Sequence, residues 1–281
     1  MRYSNRFRVA GKHFKLKHID PDFHWAHESE DAARQEIAEC RERLAALQYR
    51  MYAENRRSLL VCLQAMDAGG KDGTIQHVMG AMNPQGCRVA AFKTPSAEEA
   101  AHDFLWREHR ALGGRGTVTV FNRSHYEEVL TTRVHRLISK GACSQRYEEI
   151  NAFEKMLVEN GTHIVKFFLH ISKEEQLARF KARLEDPAKQ WKISEKDYRE
   201  RELWDDYMHA YERLIRACST RYSPWYVIPA NHKWFRNLVV SQILVEQLES
   251  LNMKLPRPTI DLGLIQRRYH RAKKEESRRH G

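Results

Sequence analysis

The sequence predicts an α/β protein built on a parallel sheet covered on both faces. Three observations predict it. Short apolar runs recur along the chain, helical patterns fall between them, and the first run ends in a glycine-rich turn that opens a helix. Strands alternating with helices need crossover connections, and crossovers bury a parallel sheet between two helical layers.

The elements follow in chain order. Residues 1–28 carry mixed charge, His and Pro and read as an irregular arm. From Ser29 to Glu54, Ile37, Cys40, Leu44, Leu47 and Met51 recur at spacings of three and four. That pattern is an amphipathic helix of about seven turns. Ser58–Gln64 is a buried strand, and Arg88–Phe92, Thr117–Phe121, His163–His170 and Trp225–Ile228 repeat its character. Ser96 with Glu99, and Ser172 with Glu175, have the spacing of capping boxes that open helices. Trp204, Tyr207, Tyr211, Leu214 and Cys218 form a helical stripe, expected in the core or at a subunit interface. Val239–Leu251 is the last helix of one folding domain over 29–255, without internal repeats. After Pro256-Arg-Pro258 the chain is expected to leave the fold, making 256–281 a basic, disordered tail.

Composition narrows the function. The 281 residues are 42% hydrophobic and 30% charged, which suits a globular protein rather than a disordered one. No stretch approaches twenty apolar residues, so no membrane partner is expected. The basic N-terminus lacks the apolar segment of a secretory signal. Five scattered cysteines without a C-x-x-C pair point to reduced thiols in a cytoplasmic protein and away from structural zinc. The net charge is +11, and between Gln266 and His280 seven Lys/Arg stand against two Glu. The surplus persists without that segment, so the body calls for an anionic partner.

The chemistry concentrates in Ala65-Met-Asp-Ala-Gly-Gly-Lys-Asp-Gly-Thr74, directly after the first strand. A strand, a glycine turn and a helix start gather backbone N–H groups where the helix dipole is positive. Ala68, Gly69, Gly70, Asp72, Gly73 and Thr74 supply that cradle, and Lys71 adds a full charge. The strict G-x-x-x-x-G-K-[ST] pattern is not met, since Ala65 replaces the first Gly and Asp72 the hydroxyl residue. Asp67 inside an anion-binding loop repels phosphate unless a cation sits between them, which implies a metal-bridged site. The third strand ends in Phe121-Asn-Arg-Ser-His-Tyr-Glu127. Parallel sheets bind ligands at their C-terminal strand ends. Asn122 stands where an Asp is usual, Glu127 can restore the carboxylate, and Arg123 can bridge phosphate oxygens. After the fourth strand come Arg179, Lys181, Arg183, Lys189 and Lys192. A basic helix and loop there, about 173–200, suits a mobile lid that closes over phosphates.

These motifs together resemble the family-2 polyphosphate kinases, and within them the class III polyphosphate:AMP/ADP phosphotransferases. The matching segments are Leu63–Ile75, Asn83-Pro-Gln-Gly86, Phe92–Ser96, His102–Arg107, Phe121–Glu127, Lys166–Ser172 and Pro224–Asn231, in order across roughly residues 10 to 252. The resemblance implies a thymidylate-kinase-like P-loop fold, a three-layer α/β/α sandwich with a helical lid. It implies reversible transfer between inorganic polyphosphate and AMP or ADP, dependent on Mg²⁺ with Mn²⁺ as a substitute. Adenine nucleotides are the expected acceptors, guanine nucleotides a further class, and the assembly a homo-oligomer, dimer or tetramer. It gives Asp67 and Glu127 to metal, Lys71 to the transferring phosphoryl, Arg123 to the phosphates, Arg179 and Arg183 to the lid, and Lys93 and Arg107 to nucleotide. Family members that mainly use diphosphates carry Asp and Asn where this chain has Asn122 and Glu127, so AMP is expected as an acceptor here. An ATP-dependent nucleotide or small-metabolite kinase is the enzyme alternative. Nucleic-acid binding is not expected, for the chain has neither zinc-finger spacing nor an aromatic single-strand platform.

Overall fold

All seven residues of the first strand, β1 (Ser58–Gln64), are buried, as in a strand covered on both faces. The chain folds, in a computed structural model describing residues 2–279 apart from Lys12 and Ala26, around this strand. Four more strands follow it: β2 (Cys87–Ala91), β3 (Val118–Asn122), β4 (Thr162–His170) and β5 (Trp225–Pro229). Every ladder is parallel and the order is β2-β3-β1-β4-β5. Leu63 lies opposite both Asn122 and Phe167, so β1 and β3 end within one residue of each other and β4 runs on to His170. The strands expected from the sequence are present, with ends displaced by one residue.

The helices are α1 (Tyr3–Phe7), α2 (Glu30–Glu54), α3 (Lys71–Met79), α4 (Ala97–Ala100), α5 (Trp106–Ala111), α6 (Glu127–Val134), α7 (Lys140–Glu159), α8 (Lys173–Glu185), α9 (Glu195–Glu202), α10 (Trp204–Cys218), α11 (Lys233–Ser250) and α12 (Leu262–Arg279). The side chains of β1 alternate between two cores. Leu59, Val61 and Leu63 face the larger one, to which α2, α3 and α11 contribute Leu44, Val78 and Leu244. Leu60 and Cys62 face a smaller one with Phe121, Phe153 and Leu157. Fully burying one such leucine stabilises the fold by about 1.5–3 kcal/mol. Among the described residues no helix is long and apolar enough to cross a membrane, and all five cysteines are free.

Three expectations are corrected. The arm is not a separate irregular piece: Phe7, Val9 and Leu16 are buried, Arg8 forms an antiparallel bridge with Tyr226, and Val9 N–H donates to Trp225 O (2.9 Å). An edge strand leaves backbone groups unpaired, and the arm satisfies part of that edge on β5. Met1, Lys12 and Ala26 lie outside the described residues. The tail is not disordered in its described part, because 262–279 form α12. Asp261 starts it by accepting from Leu264 N–H (3.1 Å), and the Gln, Arg, Lys, Glu and Ala that follow are good helix formers. His280 and Gly281 lie outside the described residues. The last helix of the domain starts at Lys233, six residues before Val239.

One buried charge pair joins the layers. Lys166 on β4 and Glu154 on α7 are fully buried, 2.6 Å apart. The ammonium also donates to Tyr126 Oη (2.9 Å) and Cys218 O (2.7 Å), and Tyr126 and His125 reach the same carboxylate. Burial alone would raise the Glu154 carboxyl, yet Lys166 and His125 hold it down to about 2. We expect Lys166→Met to cost about 3–5 kcal/mol of unfolding free energy, since it strands a buried carboxylate; adding Glu154→Leu should recover most of it. Because the folded value lies below the unfolded one, this stabilisation is complete above the ordinary carboxylate range and is lost as pH falls toward 2. Denaturant melts at neutral and acid pH measure both effects, and a double variant with unchanged acid sensitivity would exclude the pair as the cause.

Candidate active site

Between Gln64 and Lys71 the backbone must leave β1, turn and enter α3. Ala68 and Gly70 take left-handed conformations, φ 59° and 97°. A Cβ on Gly69 would lie 2.5 Å from Ala65 Cβ, and one on Gly70 only 1.9 Å from Arg236 Nη1. Glycine is therefore required by space at the first position and by φ at the second, where a side chain would also displace Arg236. The first N–H groups of α3 have no partners within the helix, so the loop presents donors at a positive helix end.

Side chains fasten this loop from behind. Arg179 donates to Ala68 O (2.9 Å), Ala230 O (2.6 Å), Asn231 O (3.0 Å) and Glu175 Oε1 (2.7 Å). Gln176 Nε2 donates to Asp67 O (2.9 Å). Arg179 is buried and so clamps the loop to the end of β5; it is no moving part of a lid, contrary to the expectation from the sequence. Arg183, one turn on, donates to Lys192 O (3.0 Å) and lines the larger cavity with it.

The reactive groups meet at the strand ends. Lys71 Nζ donates to Ala65 O (2.9 Å), and burial together with neighbouring Arg123 pushes its ammonium below the usual lysine value. Arg123 at φ 64° donates to Asp67 Oδ1 (3.0 Å). Burial would lower this guanidinium, but Glu127 and Asp67 outweigh it and raise its pKa. Glu127 Oε2 accepts from Thr131 Oγ1 (2.8 Å); Gln64, with its amide turned to satisfy both ends, reaches Glu127 Oε1 at 3.0 Å. Asn122 Nδ2 donates to Asp72 Oδ1 (2.8 Å), and Lys192 lies 3.7 Å from Asp72 Oδ2. The Asp72 side chain is thus a strap between β3, the loop and the lid rather than a phosphate ligand. Thr74 is also corrected: its N–H and its hydroxyl both donate to Gly70 O (3.0 and 3.1 Å), so neither is turned to the phosphate cavity.

Two cavities share Asp67, Arg123, Lys93 and Lys196. The larger, about 990 Å³, is lined by ten Lys/Arg against three Asp, including Lys71, Arg179, Arg183, Lys192, Lys233 and Arg236. That balance suits a long polyanion. The smaller, about 260 Å³, is lined by Asp67, Phe92, Arg123, Glu127, Tyr207 and Tyr211. Lys93 and Arg107 both line it, but the Arg107 guanidinium is partly spent on Glu108 (3.1 Å), Glu128 (3.4 Å) and Lys93 O (2.8 Å). It shapes the cavity wall with three of its five N–H groups engaged, which leaves one on each terminal nitrogen to face a nucleotide. Among the described residues no three acidic, His or Cys side chains form a metal cluster. Asp67 and Glu127 facing one cavity fit a magnesium ion instead, which accepts one or two carboxylates and takes its remaining ligands from phosphate and water.

Arg236 was not found from the sequence. It is buried, its guanidinium hydrogen-bonds, among the described residues, only Asn237 Oδ1 (2.8 and 3.1 Å) with no carboxylate in reach, and Nη1 faces Gly70. Burial, then Arg179, lowers its pKa to about 10. A buried guanidinium without a carboxylate beside a phosphate loop is a site prepared for an anion. Its position in the first turn after β5, at a C-terminal strand end, was the available signal. Tyr207 and Tyr211, read as core, are buried and also line the smaller cavity.

A model of the family described as polyphosphate kinase 2 matches residues 27–256. The chain belongs to the polyphosphate kinase 2 family. An AMP/ADP-polyphosphate phosphotransferase of Meiothermus ruber is 51% identical over 246 residues, covering 87% of this chain and 92% of that one. An ADP-polyphosphate phosphotransferase of Rhodopseudomonas palustris is 51% identical over 230 residues, covering 78% and 80%. The crystal structure of a polyphosphate kinase 2 from Arthrobacter aurescens superposes with a TM-score of 0.94 at 41% identity, over 96% of this chain and 97% of that one. The fold is thus that of a polyphosphate kinase 2, including the described arm.

We expect Lys71→Ala, Asp67→Ala and Arg236→Ala each to lower the transfer rate by about 10²–10³, the usual loss of one transition-state charge contact. Arg236→Lys should retain part of the activity. Steady-state kinetics beside a thermal melt tests this; a variant with wild-type melting and more than a tenth of wild-type turnover removes its residue from the site.

Proposed function

We propose that this chain moves phosphoryl groups reversibly between inorganic polyphosphate and adenine nucleotides, taking AMP as well as ADP. One observation carries the reading: a large basic cavity and a small mixed one meet at Asp67 and Arg123, beside Lys71. A polyanionic donor suits the first, a nucleotide the second. The family membership and the relatives' names support it, although two relatives of equal identity differ in whether AMP is named.

The residues then divide the work. Lys71, Arg236 and the first-turn amides hold the donor phosphates, Arg179 keeps their loop in place and adds its charge, and Arg123 draws the acceptor phosphate to the boundary between the cavities. Two anions brought into line at one phosphorus need positioning and neutralisation more than covalent help. Arg183, Lys189 and Lys192 cover the donor and exclude water. Asp67 and Glu127 would hold Mg²⁺, which when bound would supply positive charge to offset that of the phosphates. The free thiols suit a cytoplasmic setting, and exposed Tyr49, Tyr52 and Val89 suit burial in a homo-oligomer.

The pair Asn122 and Glu127 bears on acceptor length. Glu127 lines the smaller cavity and Asn122 the larger, so a carboxylate at 127 rather than 122 would offer its charge on the acceptor side, where a shorter nucleotide must sit deeper. Mixing AMP with polyphosphate and Mg²⁺, free of ADP and adenylate kinase, should give ADP and then ATP. Chelation should stop turnover, and Asn122→Asp with Glu127→Asn should shift preference toward ADP. ADP turnover without any product from AMP would refute the AMP reading, and turnover with ATP but not polyphosphate as donor would refute the donor.

A further inference from the structure

A third concavity, about 370 Å³, lies on the other flank of the packed helices α6 and α10. Thr131, Thr132, Tyr207 and Tyr211 of these helices line the acceptor cavity. Their neighbours Arg133, Val134, His209, Ala210 and Arg213 line this one. The two spaces therefore share a helical wall without sharing a residue.

The charge here is one-sided. Arg133, Arg136, Lys140 and Arg213 converge on the concavity, with Asp206 the one carboxylate lining it. Among the described residues none of the four cations has a carboxylate partner within ion-pair distance. Nearby arginines do: Arg146 pairs with Glu128 and Arg216 with Glu212. One further feature favours an anion. Helix α7, twenty residues long, opens at the concavity through Lys140, Cys143 and Ser144, and its first turn holds no acidic residue to offset the positive helix end. Arg136, in the link from α6 to α7, is the left-handed cap that ends α6 (φ 57°), and Leu137 N–H closes it on Thr132 O (2.8 Å).

Four cations spread over α6, α7, α10 and one link exceed what a single phosphate can engage, and they suit an extended chain of phosphates. We propose that this concavity is a second docking site for polyphosphate, holding a remote stretch of a long chain while another stretch lies in the catalytic cleft. The proposal rests on polyphosphate being the donor. Two weak sites on one polymer reinforce each other through effective concentration, and only a chain long enough to span them gains. The site thus favours long donors and lets the cleft be re-entered by the same molecule after each transfer.

The test uses Lys140→Ala with Arg213→Ala, two exposed helical positions where alanine is well tolerated. KM and kcat are measured with chains of about five phosphates and of about a hundred, the second able to bridge separate sites. The expected result is a rise of about fivefold or more in KM for long chains, with kcat and short-chain KM unchanged. Lys140→Arg with Arg213→Lys should restore the long-chain KM. Equal rises at both lengths, or none, overturn the proposal. So does an equal long-chain effect from Arg267→Ala with Arg271→Ala on α12, which removes the same charge elsewhere. A wild-type protein that turns over no polyphosphate of either length would instead strike at the donor reading.

Discussion

The site depends on one guanidinium. Arg179 reaches the carbonyl of Ala68 in the phosphate loop, two carbonyls just beyond β5 and Glu175 on its own helix. Three segments distant in sequence are thereby held in one geometry. A phosphate loop works only if its donors are in place before the anion arrives, because reorganising dipoles during transfer would cost what the site is meant to supply. Arg179 carries that constraint and holds a permanent charge beside the donor cavity as well.

A positive cluster of this density is costly while empty. Lys71 is pushed below its usual value and Arg236 to about 10, in both cases chiefly by burial. Asp67 and Glu127 moderate the field where Arg123 stands, and the buried Lys166–Glu154 pair anchors the turn that carries Arg123 and Glu127 through Tyr126 and His125. Catalytic charge is thus assembled on a fold stabilised elsewhere, by the apolar cores on both faces of β1.

Much of this was legible in the sequence. Ser58–Gln64 declares a buried strand because every residue but its ends is apolar, and Ser29 declares a helix start because its hydroxyl can accept from Ala32 N–H. Asp67, Lys71 and Arg123 stand out because a glycine turn and a strand end are local features. Arg236 and the clamp role of Arg179 were hidden, since both act across the fold and neither has a local pattern. The arm was hidden for a related reason: Phe7, Val9 and Leu16 are isolated apolar residues, and their partners, Phe235 on α11, the edge of β5 and Glu212 on α10, are distant in sequence. The helix α12 was masked by composition, because a basic run reads alike in helix and coil until its cap at Asp261 is recognised.

The arm over β5 leaves the sheet guarded unequally. One edge is engaged by Arg8 and Val9, whereas the opposite edge, β2, is only five residues long and exposes Val89. Growth of the sheet by strand addition from another molecule is therefore steered toward β2. Its brevity and the charge of Arg88 limit how far such pairing could run. The polarity of the sheet thus extends from chemistry to solubility: phosphate transfer belongs to the strand ends, and resistance to fibrous self-association belongs to the strand edges.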